Sequence, residues 1–299
     1  MKLHILGQRQ YQPAYFDMAC RCRPQGAHWY GGGFRIGDRA AAYVHLSEWR
    51  RRNPDRKLIV LDNVGLPGAF SRLSANWLFA GIADEAYVTC DPTTSSMIPV
   101  PCGERLYTQS LWVTWRQLRM RHDKLPRPTI RPDRDSLQTT ARWTREIGLP
   151  PFYVTVQPLY DAQYERFRNQ TIAWWQQVCM AIERRGMPVL VLDRYNSTFP
   201  VPKGCYPPAG LTPRTTVMYS MALVSNACVH VGGQTGLTLW SAIFGVPTVA
   251  AYKHWGIMDH KDTRPIPFGA PVEPADLRGP PDAVARKVEK LFSSKAVRV

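Results

Sequence analysis

Residues 232–236 of this 299-residue chain, Gly-Gly-Gln-Thr-Gly, put backbone freedom and a hydroxyl where a strand pattern gives way to a helical one. Cys228-Val229-His230-Val231 ahead of them has strand character. Leu237, Leu239, Trp240, Ile243 and Phe244 behind them recur at helical spacing. Gly245 stands where a helix C-cap belongs, and Pro247 blocks continuation. Thr248-Val249-Ala250-Ala251 opens a second buried strand, so residues 226–251 read as a βαβ unit. The first amides of a helix have no intrahelical partner and lie at the positive end of its dipole. A turn made of Gly232, Gly233, Gln234, Thr235 and Gly236 at such a terminus suits a phosphate or diphosphate. A tight turn without a ligand is the plain alternative, because a lone Gly-rich turn is a weak motif. No Lys follows the last glycine, which excludes a Walker loop, and the spacing is not G-x-G-x-x-G.

The second candidate is a carboxylate. Gly7 to Gly33 is a long segment rich in Arg, aromatics and glycine, and loops of that length are usually functional or mobile. His28, Gly31, Gly32, Gly33 and Arg35 are its residues of interest, expected on a loop facing an acceptor. Gly37-Asp38 then precedes a helical pattern of Ala41, Ala42, Val44, His45, Leu46 and Trp49, which closes on Arg50-Arg51-Arg52-Asn53-Pro54. Asp38 stands at a helix start, where it serves either as a cap or as a general base. Gln157, just after a strand end, is expected to line the same pocket as the 232–236 turn. Lys253 and His254, with Arg166 and Arg168, are candidate cations for a charged ligand, each weighed against an ordinary surface role. The seven cysteines form no CxxC pair, so a reduced protein without a metal site or cofactor is expected.

The elements that must hold these residues alternate between strand and helix in each half. In the first half the strands are Leu3–Leu6, Lys57–Asp62 and Ala86–Thr89, with an amphipathic helix over 107–121. Residues 122–135 are charged and proline-rich and mark a linker, giving domains 1–135 and 136–299. In the second half the strands are Phe152–Val156, Pro188–Asp193, Cys228–Val231 and one from Thr248. Helices are expected over 164–185, 215–224 and 281–294, the last free to pack back toward the first domain, and a loop over 253–271. This is an α/β chain of two doubly wound, Rossmann-like domains facing a cleft, with ligands at the carboxyl ends of the strands.

The ten Trp and ten Phe can fill sizeable cores. No apolar run is long enough to span a membrane, and the N-terminus has no secretory h-region, so a cytoplasmic location is expected. The net charge of +15 is shared, +9 over residues 1–150 and +6 over 151–299. Such a surface suits a polyanionic partner: nucleic acid, an anionic membrane face met peripherally, or a phosphorylated glycolipid.

Two segments resemble a known family. GGGFRIGDRAAAYVHLSEWRRRNPDRKLIVL is similar to the opening of the GT-B fold glycosyltransferases that act as ADP-heptose:lipopolysaccharide heptosyltransferases. MALVSNACVHVGGQTGLTLWSAIFGVPTVAAY resembles the same family's second-domain motif, and together the two cover about a fifth of the chain. The resemblance puts Asp38 in the place of the catalytic carboxylate, and Thr235 and Gly236 in the place of the pair that holds the donor diphosphate. Gln234 replaces the family's Asp before that pair, and the segment before Asp38 is longer than the family's. It implies an inverting, metal-independent transfer from a nucleoside-diphosphate sugar to a glycolipid or other saccharide. A transferase acting on modified DNA bases, a nucleic-acid-binding protein that keeps the fold, and a sugar-nucleotide isomerase are the alternatives.

Overall fold

The computed structural model describes residues 2–5, 27–31, 43, 47, 50–51, 54–55, 57–63, 82, 84–89, 104–107, 130–160, 170–192, 199–207, 216–233, 235–252 and 272–296. The chain divides into two compact units, Met1–Leu125 and Pro126–Val299.

The first unit holds β1 (Lys2–Ile5), β2 (Ala27–Gly31), β3 (Lys57–Asn63), β4 (Glu85–Thr89) and β5 (Glu104–Tyr107) in one sheet. Their order is β4-β3-β2-β1-β5 and every pairing is parallel. The order reverses between β1 and β5, as in a doubly wound sheet. Two expectations are corrected. Residues 27–31 are not part of an irregular loop: His28 pairs with Leu58 and Gly31 with Leu61, in register between β1 and β3. Tyr107 ends a strand rather than opening a helix. Between β2 and β3, Tyr43, Ser47, Arg50 and Arg51 are helical, with Tyr43 buried and the Ser47 hydroxyl donating to its carbonyl at 2.7 Å. Arg50 bonds Asp84 at 2.8 Å, which ties that helix to the residue just ahead of β4.

The second unit holds β6 (Val154–Gln157), β7 (Val189–Val191), β8 (Val229–Gly232), β9 (Thr248–Tyr252) and β10 (Val272–Asp276), ordered β10-β9-β8-β6-β7 and all parallel. Its helices are α1 (Arg134–Glu146), α2 (Ile172–Glu183), α3 (Thr216–Asn226), α4 (Gly236–Ile243) and α5 (Pro281–Ala296). Strand side chains alternate between faces, and the alternation here is chemical. Val154, Val156, Val189, Val191, Val229, Val231, Val249 and Ala251 join one apolar core with α2 and α5. Thr155, His230 and Thr248 stand on the opposite face, all buried.

Each helix start has a local cause. Asp133 caps α1 by accepting from the Ser136 amide at 2.9 Å, and Ser136, Thr140 and Trp143 are its buried stripe. Thr171 caps α2 by accepting from the Trp174 amide at 3.1 Å, so α2 begins eight residues later than its apolar pattern predicts. Gly148, Gly186 and Gly245 end α1, α2 and α4 with positive φ, where a side chain would be strained. Strand β10 follows the loop expected over 253–271 and carries too little apolar patterning to be read from sequence. The final helix packs on α2 and on β8, β9 and β10 of its own unit.

Candidate functional site

The strand order of the second unit reverses between β6 and β8, the place where doubly wound sheets open a crevice at their carboxyl ends. Gln157 is the last residue of β6 and Gly232 the last of β8, and the two are paired in register across that point. Gln157 is thus a strand residue, one position earlier in the architecture than expected.

Gly233 and Thr235 connect β8 to α4. Thr235 is extended (φ −125°, ψ 162°) and is the N-cap of α4, its hydroxyl oxygen accepting from the Thr238 amide at 3.3 Å. The Thr235 amide donates to the Gly233 carbonyl at 2.8 Å. Its hydroxyl donates to the side-chain oxygen of Gln157 at 2.6 Å, closing the turn onto β6. Helix α4 is held down by Leu237, Trp240 and Ile243, all buried, and by Ser241, whose hydroxyl is 2.8 Å from that of Thr248 on β9. Gly236 and Leu237 open the helix and carry first-turn amides of the kind that lack intrahelical partners. Gly232 is needed for a steric reason. A Cβ there would stand 2.4 Å from Thr238 Oγ1 and 2.8 Å from His230 Nε2. The missing side chain lets the start of α4 approach the sheet.

Beneath the turn lies His230, fully buried on the polar face of β8. Its Nδ1 is 3.0 Å from Thr155 Oγ1, while Nε2 has no hydrogen-bond partner among the described residues. Burial strips the imidazolium of solvation and pushes its pKa down to about 3, so the ring is neutral near pH 7. The Thr238 hydroxyl, three residues into the cap, donates to the Gly233 carbonyl at 2.8 Å. Sequence reasoning missed His230 as part of the site. The available signal was Val-Thr-Val in β6 and Val-His-Val in β8, polar residues at every second position of strands otherwise buried on both faces.

The structure brings Gln157, Gly232, Gly233, Thr235 and Gly236 together at the β6–β8 switch point. Asp38, Gly32, Gly33, Arg35, Gln234, Lys253, His254, Arg166 and Arg168 lie outside the described residues. Sequence reasoning also passed over Asp133-Arg134-Asp135, a spacing that can hold a metal with further ligands. Asp133 is instead the α1 cap, and among the described residues no three His, Cys, Asp or Glu side chains are grouped to bind an ion. Among those residues, too, no helix is long and apolar enough to cross a membrane.

No protein-family model matches the chain, and no curated protein does. Solved structures do. A glycosyl transferase of family 9 from Veillonella parvula is similar at TM-score 0.65 and 11% identity, over 90% of this chain and 97% of that one. The ADP-heptose LPS heptosyltransferase II of E. coli is similar at TM-score 0.61 and 12% identity, over 90% of this chain and 99% of that one. At these identities the likeness is one of fold. The chain shares, over nine-tenths of its length, the α/β fold on which those two transferases are built.

Proposed function

We propose that this protein is a glycosyltransferase that takes its sugar from a nucleoside-diphosphate donor, bound where β6, β8 and α4 meet. The observation that carries the reading is the pairing of a hydroxyl-capped helix start with Gln157 at the switch point of a doubly wound sheet. The fold shared with two transferases, one of them named for its ADP-heptose donor, supports it. In this reading the diphosphate accepts from the first amides of α4 and from the Thr235 hydroxyl, in the field of the helix dipole. As the anomeric carbon–oxygen bond breaks, those donors meet the charge that develops on the leaving nucleoside diphosphate. The acceptor hydroxyl attacks the opposite face of the sugar, which inverts the anomeric centre, and Asp38 takes its proton. The step as proposed uses no metal. The acceptor is polyanionic, a phosphorylated glycolipid at an anionic membrane face, in keeping with a net charge of +15. The same charge favours DNA as the second reading of the acceptor.

Asp38→Asn tests the chemistry. Asn caps a helix about as well as Asp and is a poor base. The variant should melt within about a degree or two of the wild type, bind the donor, and transfer sugar about 10²–10⁴-fold more slowly in single turnover. Near-normal transfer would reduce Asp38 to a cap and remove it from the mechanism.

A further inference from the structure

The two threonine hydroxyls at the turn each have an accepting partner. Thr235 gives its proton to Gln157 Oε1 at 2.6 Å, and Thr238 gives its proton to the Gly233 carbonyl at 2.8 Å. The two hydroxyl oxygens are also 3.1 Å apart, within reach of one another. A phosphate oxygen can only accept. To bind the Thr235 hydroxyl it must take over the hydrogen bond that Gln157 Oε1 accepts.

Gln157 is suited to that exchange. A carboxamide has an accepting oxygen and a donating nitrogen on one rotatable group, and a half-turn about its last bond swaps them. Its place is set by the β6–β8 register and not by a loop. A separate observation also points to a ligand here. His230 Nε2 is a polar atom inside the fold, fully buried and without a partner among the described residues, and it faces the turn at Gly232. Polar atoms buried in that way are uncommon and call for a partner that the fold itself does not supply.

We propose that Gln157 is the binding switch of the donor site: its carboxamide accepts the Thr235 proton when the site is free and turns to donate when a diphosphate arrives. In the bound state the Thr235 hydroxyl donates to a phosphate oxygen, and Gln157 Nε2–H donates to Thr235 Oγ1 or to the phosphate itself. No proton is gained or lost. Being neutral and able to donate, Gln157 admits an ionised diphosphate, which a group that can only accept at this position would repel. The proposal rests on the reading of function above and adds the residue that discriminates.

Gln157→Glu is the decisive variant. When ionised, the carboxylate only accepts, so it keeps the Thr235 proton and opposes the phosphate charge. When protonated, it regains one donor. The readout is the Kd of ADP-glucose and UDP-glucose by calorimetry at about pH 8 and about pH 5, each against wild type. The diphosphate of either probe is esterified at both ends and holds its charge across that range. Gln157→Glu should bind about 100-fold more weakly at the higher pH and recover to within about ten-fold at the lower. Gln157→Ala should be about ten-fold weaker at both. Wild-type-like binding by Gln157→Glu at both pH values would overturn the switch and leave the functional reading standing. An equal, pH-independent loss in both variants, with a lowered melting temperature, would reduce Gln157 to a packing residue and also overturn it. Absence of binding by the wild type would contradict the reading of function, and the switch with it.

Discussion

A neutral histidine inside the fold has a consequence that can be measured. The folded pKa of His230 lies near 3, below the value of about 6.5 for the unfolded chain. Between those limits the unfolded state binds a proton that the folded state refuses. Stability from this residue is thus full above about pH 6.5 and is lost as pH falls toward 3. At pH 5 the loss is about 2 kcal/mol, taking 1.36 kcal/mol per unit over the part of the shift already titrated. Denaturant unfolding at pH 7 and pH 5 should show wild type losing about that much more than His230→Gln, which has nothing to titrate. An equal pH response in the two proteins would mean that His230 is charged or solvated in the fold. The residue was present in the sequence as part of a strand run, but its burial was not legible there. Burial is a property of the sheet face, and which face α3 and α4 cover is decided by the whole unit.

Elements were legible where a local signal and the packing agreed. The βαβ unit from β8 to β9 follows from valines, glycine punctuation and Pro247, and its strands and helix fall where that pattern places them. Boundaries failed where a single capping interaction outweighed periodicity. A helix was expected from about residue 164, whereas α2 starts at Ile172, with Thr171 capping the Trp174 amide. Strand β2 was hidden because Ala-His-Trp-Tyr-Gly reads as part of an aromatic, glycine-rich loop, and only pairing with β1 and β3 makes it a strand. The two threonine caps of the second unit also separate structure from function. Thr235→Ala and Thr171→Ala should each cost about 0.5–2 kcal/mol in unfolding experiments. Thr235→Ala should also weaken nucleotide-sugar binding about ten-fold, because it removes a donor to the phosphate. Thr171→Ala should bind as wild type does. Equal affinities in the two variants would show that the α4 cap is structural only.

At the scale of the molecule, two parallel sheets with reversed strand order make two places where a ligand can sit, one in each unit. The α/β class and the parallel sheets followed from the alternation of strand and helix patterns, whereas the strand order did not, since β2, β5 and β10 were not read as strands. The excess charge is a whole-molecule property too, and it predicts a salt-dependent partner. Affinity for DNA or for anionic lipid vesicles should fall steeply between low and physiological salt. Stronger binding to vesicles at equal ionic strength supports the glycolipid acceptor, stronger binding to DNA supports the second reading, and binding to neither would make the charge a surface property only.

The central claim, a nucleotide-sugar donor held at the start of α4, is tested most directly by melting wild type and Gly236→Val against a panel of nucleoside diphosphates and nucleotide sugars. A ligand at about 100 times its Kd stabilises the folded state by about 2.7 kcal/mol, which raises the melting temperature by several degrees. The account predicts such a rise for wild type with at least one member of the panel and none for Gly236→Val, whose own melting temperature stays near that of wild type. A rise of equal size in both proteins, or no rise in either, would contradict it.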